Sequence, residues 1–73
     1  MNSAAPRQRG TVVAFDEFVG LGEIDAAGER VRFHCTQIAD GTRTIEVGAP
    51  VEFALVLGPT GRPEATAITP RRF

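Results

Sequence analysis

The sequence predicts an all-β protein, a small closed barrel of five antiparallel strands. Short β-branched and aromatic runs recur along the 73 residues, separated by turn-forming residues. One run, Arg30 to Cys35, alternates strictly between polar and apolar side chains, which is the period of a strand with one face in a core. No stretch carries a long helical period or an internal repeat. Closure follows because five short strands would otherwise leave unpaired edges.

The elements follow in chain order. Residues 1–9 are small, polar and aperiodic and are expected to form a mobile arm, with the barrel spanning 10–70 and a tail at 71–73. Thr11 to Phe15 is the first strand, and Asp16-Glu17-Phe18 is a polar turn carrying one aromatic. Gly20 to Ile24 is the second strand, whose glycines point to a bulge or a close approach. Ala26-Ala27-Gly28 turns the chain. In the third strand Val31, Phe33 and Cys35 should face inward and Arg30, Arg32 and His34 outward. A turn centred on Ala26-Ala27 would set Leu21 opposite Arg32 and Glu23 opposite Arg30, the latter forming a surface ion pair. Thr36 to Ile38 is a short helical turn with Ile38 capping the core. Pro50 to Leu57 is the fourth strand, with Val51, Phe53, Leu55 and Leu57 on one face. Ala65 to Thr69 is the fifth, with Ile68 its principal buried residue.

Composition narrows the function. All eight basic residues are Arg, and four of them (Arg7, Arg9, Arg71, Arg72) lie near the ends. Residues 10–70 hold four Arg against nine acids, a net of −5, which disfavours strong non-specific binding to phosphates. The lone Cys allows no internal disulfide, no apolar run is long enough to span a membrane, and the first residues lack a signal peptide's apolar core. The expected location is the cytoplasm. No enzyme, metal site or cofactor is expected. The only Ser is Ser3, in the arm, and Asp16-Glu17 reads as a solvated turn. Gly20-x-Gly22 opens no helix, so it is no dinucleotide loop. His34 and Cys35, adjacent on a strand, should face opposite ways and so not share a metal.

An ordered set of landmarks then becomes recognisable. Gly10 opens strand one and Phe15 ends it; Gly20-x-Gly22-x-Ile24 and Val31-x-Phe33-His34 follow. After these come Thr36-x-Ile38, Gly41-x-Arg43-Thr44-Ile45-x-x-Gly48, Val51-Glu52-Phe53 and Gly58-x-x-Gly61-x-Pro63-x-Ala65. Over residues 10–70 the sequence resembles the cold-shock domain family, with one deletion in the 25–28 turn. The resemblance implies an OB-type barrel that binds single-stranded RNA or DNA. In that family bases stack on aromatics displayed by strands one to three, beside lysines that meet phosphates.

Carried over by position, the barrel signature is fuller than the binding signature. Phe15 and His34 keep the family identity. The family's Trp falls on Ala14, the Lys before it on Val13, and the Lys opening strand two on Val19. The two aromatics of strand two fall on Leu21 and Glu23, the outward Phe of strand three on Arg32, and the aromatic after the His on Cys35. A later loop aromatic falls on Thr42 and the Lys of the last loop on Thr60. Each lost stack removes roughly 1–3 kcal/mol, so affinity should fall by several orders of magnitude. Arg32 offsets part of this, because a guanidinium plane stacks on bases and pairs with phosphate, and Phe18 offers a replacement ring.

The expected nucleic-acid-binding residues are therefore Phe15, Phe18, Arg32 and His34, with Arg30 and Leu21 beside them. The function read from the sequence is weak or selective binding of single-stranded RNA or DNA, without catalysis. The alternative is a protein-interaction or self-associating module, even a homodimer, using an outward Val13/Phe15/Leu21 patch with nucleic-acid binding lost.

Overall fold

The computed structural model describes residues 7–71. Five strands, β1 (Gln8–Asp16), β2 (Leu21–Ala26), β3 (Glu29–His34), β4 (Pro50–Leu57) and β5 (Pro63–Pro70), close in the order β1-β2-β3-β5-β4. The one helical segment among these residues is a 3-10 turn at Cys35–Gln37. The barrel is mixed rather than wholly antiparallel, because β3 and β5 run parallel, with Arg32 beside Glu64. Parity requires this: around a ring of five strands, direction cannot alternate at every step.

Gln8 and Arg9, placed in the arm by the sequence reading, pair with Phe53 and Glu52 of β4. At the other end the Arg71 amide donates to Pro50 O at 2.8 Å. Residues 1–6, 72 and 73 lie outside the described residues.

The core is the one that alternation predicts. Val31 and Phe33 of β3, Val51 and Phe53 of β4, Ile38 and Ile68 are all buried. Leu55 packs against them, but Leu57, assigned to the same face, is 75% exposed at the last position of β4, where it pairs with Pro63 at the start of β5. Cys35 is half-buried and packs against this core as expected, although the strand gives way to the 3-10 turn at that residue and its Sγ lies 3.9 Å from His34 Nδ1. Among the described residues no cluster of three or more metal-ligating side chains occurs.

Two irregularities set what faces outward. The first is in β1, where Val12 pairs with Ile24 but Ala14 pairs with Glu23, leaving Val13 as an extra residue. Such a bulge resets the alternation. Val12 and Phe15 therefore both lie on the core side, and Ala14 lies outside. Phe15 pairs with Gly22, which pairs with Phe33, and the Phe15 and Phe33 rings stack nearly parallel with centroids 6.0 Å apart. A Cβ on Gly22 would stand 2.6 Å from Cε1 of Phe33 and 2.8 Å from the Ala14 carbonyl oxygen, so this row requires glycine. The close approach expected in strand two is real, and the bulge belongs to its neighbour.

The second irregularity is the β2–β3 turn. Both central residues, Ala27 and Gly28, have positive φ, 54° and 87°. This is the sign pattern of a type I′ hairpin turn, whose twist matches that of its strands. Asp25 Oδ1 accepts from the Gly28 amide at 3.1 Å. The turn sits one residue later than the sequence reading placed it, which moves every cross-strand partner by two. Leu21 faces His34, Glu23 faces Arg32 and Asp25 faces Arg30.

Candidate nucleic-acid interface

The outward residues of β2 and β3 stand in rows fixed by that register. One row crosses all five strands: Ala14, Glu23, Arg32, Glu64 and Val56 are successive neighbours. The next joins Asp16, Leu21 and His34. The rows bound two adjoining depressions. The first, about 310 Å³, is lined by Ala14, Phe15, Asp16, Leu21, Gly22, Glu23 and Arg32. The second, about 470 Å³, lies over the β3–β5 seam and is lined by Leu21, Arg32, Phe33, His34, Pro59, Thr60 and Glu64. Leu21 and Arg32 form the ridge between them.

Arg32 is exposed, and among the described residues its guanidinium makes no hydrogen bond or ion pair, although a carboxylate stands on each side of it. Glu23 is drawn instead to Arg30, whose Nη1 donates to Glu23 Oε1 at 3.1 Å. The ion pair expected from the sequence is thus present, but it runs diagonally rather than straight across. On a surface it is worth roughly 0.2–1 kcal/mol.

His34 is held by its own chain. It caps the 3-10 turn, with Nδ1 accepting from the Thr36 amide at 3.2 Å and lying 2.9 Å from Thr36 Oγ1. A neutral ring that accepts at Nδ1 carries its proton on Nε2, which leaves a donor for a ligand.

The turn before β2 is built to display Phe18. Asp16 Oδ1 accepts from the Phe18 and Val19 amides at 2.9 and 3.4 Å, and the Gly20 amide donates to Asp16 O at 2.8 Å. Gly20 O in turn accepts from the Cys35 amide at 2.7 Å, tying the turn to the end of β3. Phe18 itself is fully exposed.

Four of the six expected contact residues thus meet at one place: Leu21, Arg32 and His34 with their side chains outward, and Phe15 half-buried at the edge of the first depression. Phe18 and Arg30 line neither depression. Val13, the extra residue of the β1 bulge, lines neither as well. Sequence reasoning missed Glu64 and Pro59. Both reach the site only through the β3–β5 pairing, which no local pattern encodes. The family alignment did point to Thr60.

Three of the four terminal arginines, Arg7, Arg9 and Arg71, gather elsewhere. Arg7 Nε and Arg9 Nε lie 3.7 Å from the Glu52 carboxylate, and Arg71 Nη1 lies 2.7 Å from it. Arg7 also donates to Ala67 O at 3.0 Å. These residues belong to the β1–β4–β5 side of the barrel and tie the two ends of the chain together.

No curated protein sequence matches the chain. In structure it is similar to the Drosophila protein described as "drosophila Unr CSD456", with a TM-score of 0.78 and 27% identity. That superposition covers 94% of this chain and 28% of the other, so the chain spans little more than a quarter of its neighbour's length. None of the described helices is long and apolar enough to cross a membrane. The match that decides the assignment covers the whole barrel: the 'Cold-shock' DNA-binding domain model aligns with residues 8–71, and the chain belongs to that family of nucleic-acid-binding domains.

Proposed function

We propose that this chain binds single-stranded RNA or DNA weakly, seating unpaired bases on the outward face of β2 and β3 without chemistry. The observation that carries the reading is the exposed Arg32 guanidinium, without a partner among the described residues, on the ridge between two depressions with Leu21 and His34 beside it. Arg32 stacks on a base and meets a phosphate, His34 stacks or donates from Nε2, and Leu21 supplies apolar surface. Phe15 adds the exposed part of a ring otherwise committed to Phe33. Phe18 reaches from the turn, and Arg30 contributes positive charge at the far end. Two further points support weak binding. The family's lysine positions hold no base here, and acids flank Arg32 on both sides, so few phosphates can be neutralised.

The test is fluorescence anisotropy of a dye-labelled single-stranded oligonucleotide, since the protein has no Trp or Tyr to report binding. Binding should appear at low salt and weaken as salt rises, with a shallow slope near −0.7 per phosphate contacted. Arg32→Ala should weaken binding roughly 5- to 150-fold and flatten the slope, with little loss of stability because the Arg32 side chain is exposed and makes no hydrogen bond or ion pair among the described residues. Absence of binding at low salt and high protein concentration, together with a dimer in solution, would replace this reading with protein association through the same face.

A further inference from the structure

Resting on that reading, we propose that the second depression selects guanine over uracil or thymine, with Glu64 and Arg32 as the discriminating pair. Glu64 is half-buried on β5, immediately beside Arg32 across the parallel β3–β5 pair, and both line this depression. The two nevertheless make no ion pair with one another. Among the described residues the Glu64 carboxylate has no hydrogen-bond or ion-pair partner, whereas Glu23, the other carboxylate flanking Arg32, is engaged by Arg30. A site therefore presents one carboxylate and one guanidinium side by side, both with unused hydrogen-bonding capacity.

The chemistry of the bases decides what that pair recognises. An ionised carboxylate only accepts, and a guanidinium only donates. Guanine's Watson–Crick edge offers two adjacent donors, N1–H and the N2 amino group, which match the two oxygens of a carboxylate. Its O6 and N7 are the acceptors that a guanidinium fork fits. Uracil and thymine offer a single N3–H donor between two carbonyl oxygens, and those oxygens are repelled by a carboxylate. Cytosine and adenine each offer one amino group and so fall between.

Position adds to the argument. Glu64 approaches Gly58 so closely that a Cβ there would collide with the carboxyl group, which places the acid beside the loop bearing Pro59 and Thr60. Across the depression stand Leu21 and His34, an apolar side chain and a flat ring against which a purine lies. The negative surroundings weaken phosphate contacts, so edge recognition makes up a larger share of the whole.

The test compares labelled seven-nucleotide strands: all uracil, and the same strand with a central guanine, adenine or cytosine. One guanine per strand avoids self-assembly. The guanine strand should bind at least about fivefold more tightly than the all-uracil strand. Glu64→Gln keeps the shape but leaves one acceptor and adds a donor suited to uracil O4. It should shrink the guanine advantage below about twofold by weakening guanine and strengthening uracil binding. Equal or tighter binding of the all-uracil strand by the wild-type protein overturns the proposal while leaving single-strand binding intact. So does a guanine advantage untouched in folded Glu64→Gln. Failure of all four strands to bind overturns both readings together.

Discussion

Gly22→Ala isolates the packing that joins the core to the candidate interface. At a position with room to spare and an ordinary backbone, replacing Gly by Ala stabilises by roughly 0.4–1 kcal/mol, because the unfolded chain loses freedom. Gly22 has no positive φ to complicate the comparison, but a Cβ there meets Phe33 Cε1 at 2.6 Å and the Ala14 carbonyl oxygen at 2.8 Å. The Ala14 oxygen is backbone and cannot swing away. The Phe33 ring is buried at 2% exposure and stacked against Phe15, so moving it disturbs the core and the first depression together. Overpacking of this kind costs about 1–3 kcal/mol. For a domain of this size each kcal/mol lowers the melting temperature by roughly 4–8 °C, giving a fall of about 4–24 °C. Thermal melts followed by circular dichroism measure it. Phe33→Leu removes the ring atoms in the way, so the double variant should be more stable than the sum of the single losses by at least about 0.5 kcal/mol. A Gly22→Ala protein as stable as the wild type, or two penalties that simply add, would refute the account of this row.

Three other outcomes follow from the same geometry. Ala27→Asn should raise the melting temperature by a few degrees, because Ala27 sits at φ 54° in a turn where Asn followed by Gly is strongly preferred; an unchanged or lower value would count against the type I′ assignment. Glu52→Gln should cost on the order of 1 kcal/mol in low salt, since it leaves Arg7, Arg9 and Arg71 crowded without their shared carboxylate, and urea melts near 1 M salt should show the loss largely gone. The neutral His34 ring should be the Nε2–H tautomer, read from imidazole nitrogen shifts by NMR, and a neutral ring with its proton on Nδ1 would mean that the Thr36 amide cap is not formed.

How much of this could be read from the sequence follows from which interactions are local. The alternation of Val31, Phe33 and their polar neighbours is a property of one strand, and the buried set it predicted is buried. The same holds for Val51, Phe53 and Ile68. Facing in β1 was not legible in this way, because a bulge depends on what the partner strand offers. Val13 looks like any strand residue until Glu23 is seen opposite Ala14. The β2–β3 register failed for a similar reason. Ala26-Ala27 and Ala27-Gly28 are both plausible turn centres, and only the second gives Gly28 the positive φ that a I′ turn requires alongside Ala27. Glu64 was invisible because it enters the site from a strand thirty-two positions away in the chain, through a single parallel pair with Arg32.

The two faces of these strands answer to different demands, which explains why the family is plain while the binding set has changed. An inward side chain is constrained by all its neighbours at once. Gly22, Phe15 and Phe33 pack against one another, and changing one costs stability. An outward side chain on β2 or β3 is constrained by a few cross-strand contacts worth a fraction of a kcal/mol each, as with Glu23 and Arg30. Substitution there leaves the barrel intact and alters only what the barrel can hold. Where the family resemblance puts flat rings, Leu21, Glu23 and Arg32 offer no aromatic stack, and Glu23 and Arg32 bring groups that accept or donate in fixed directions. On the proposed reading such a face gives up affinity first, and what remains depends more on the identity of the base than on the charge of the strand.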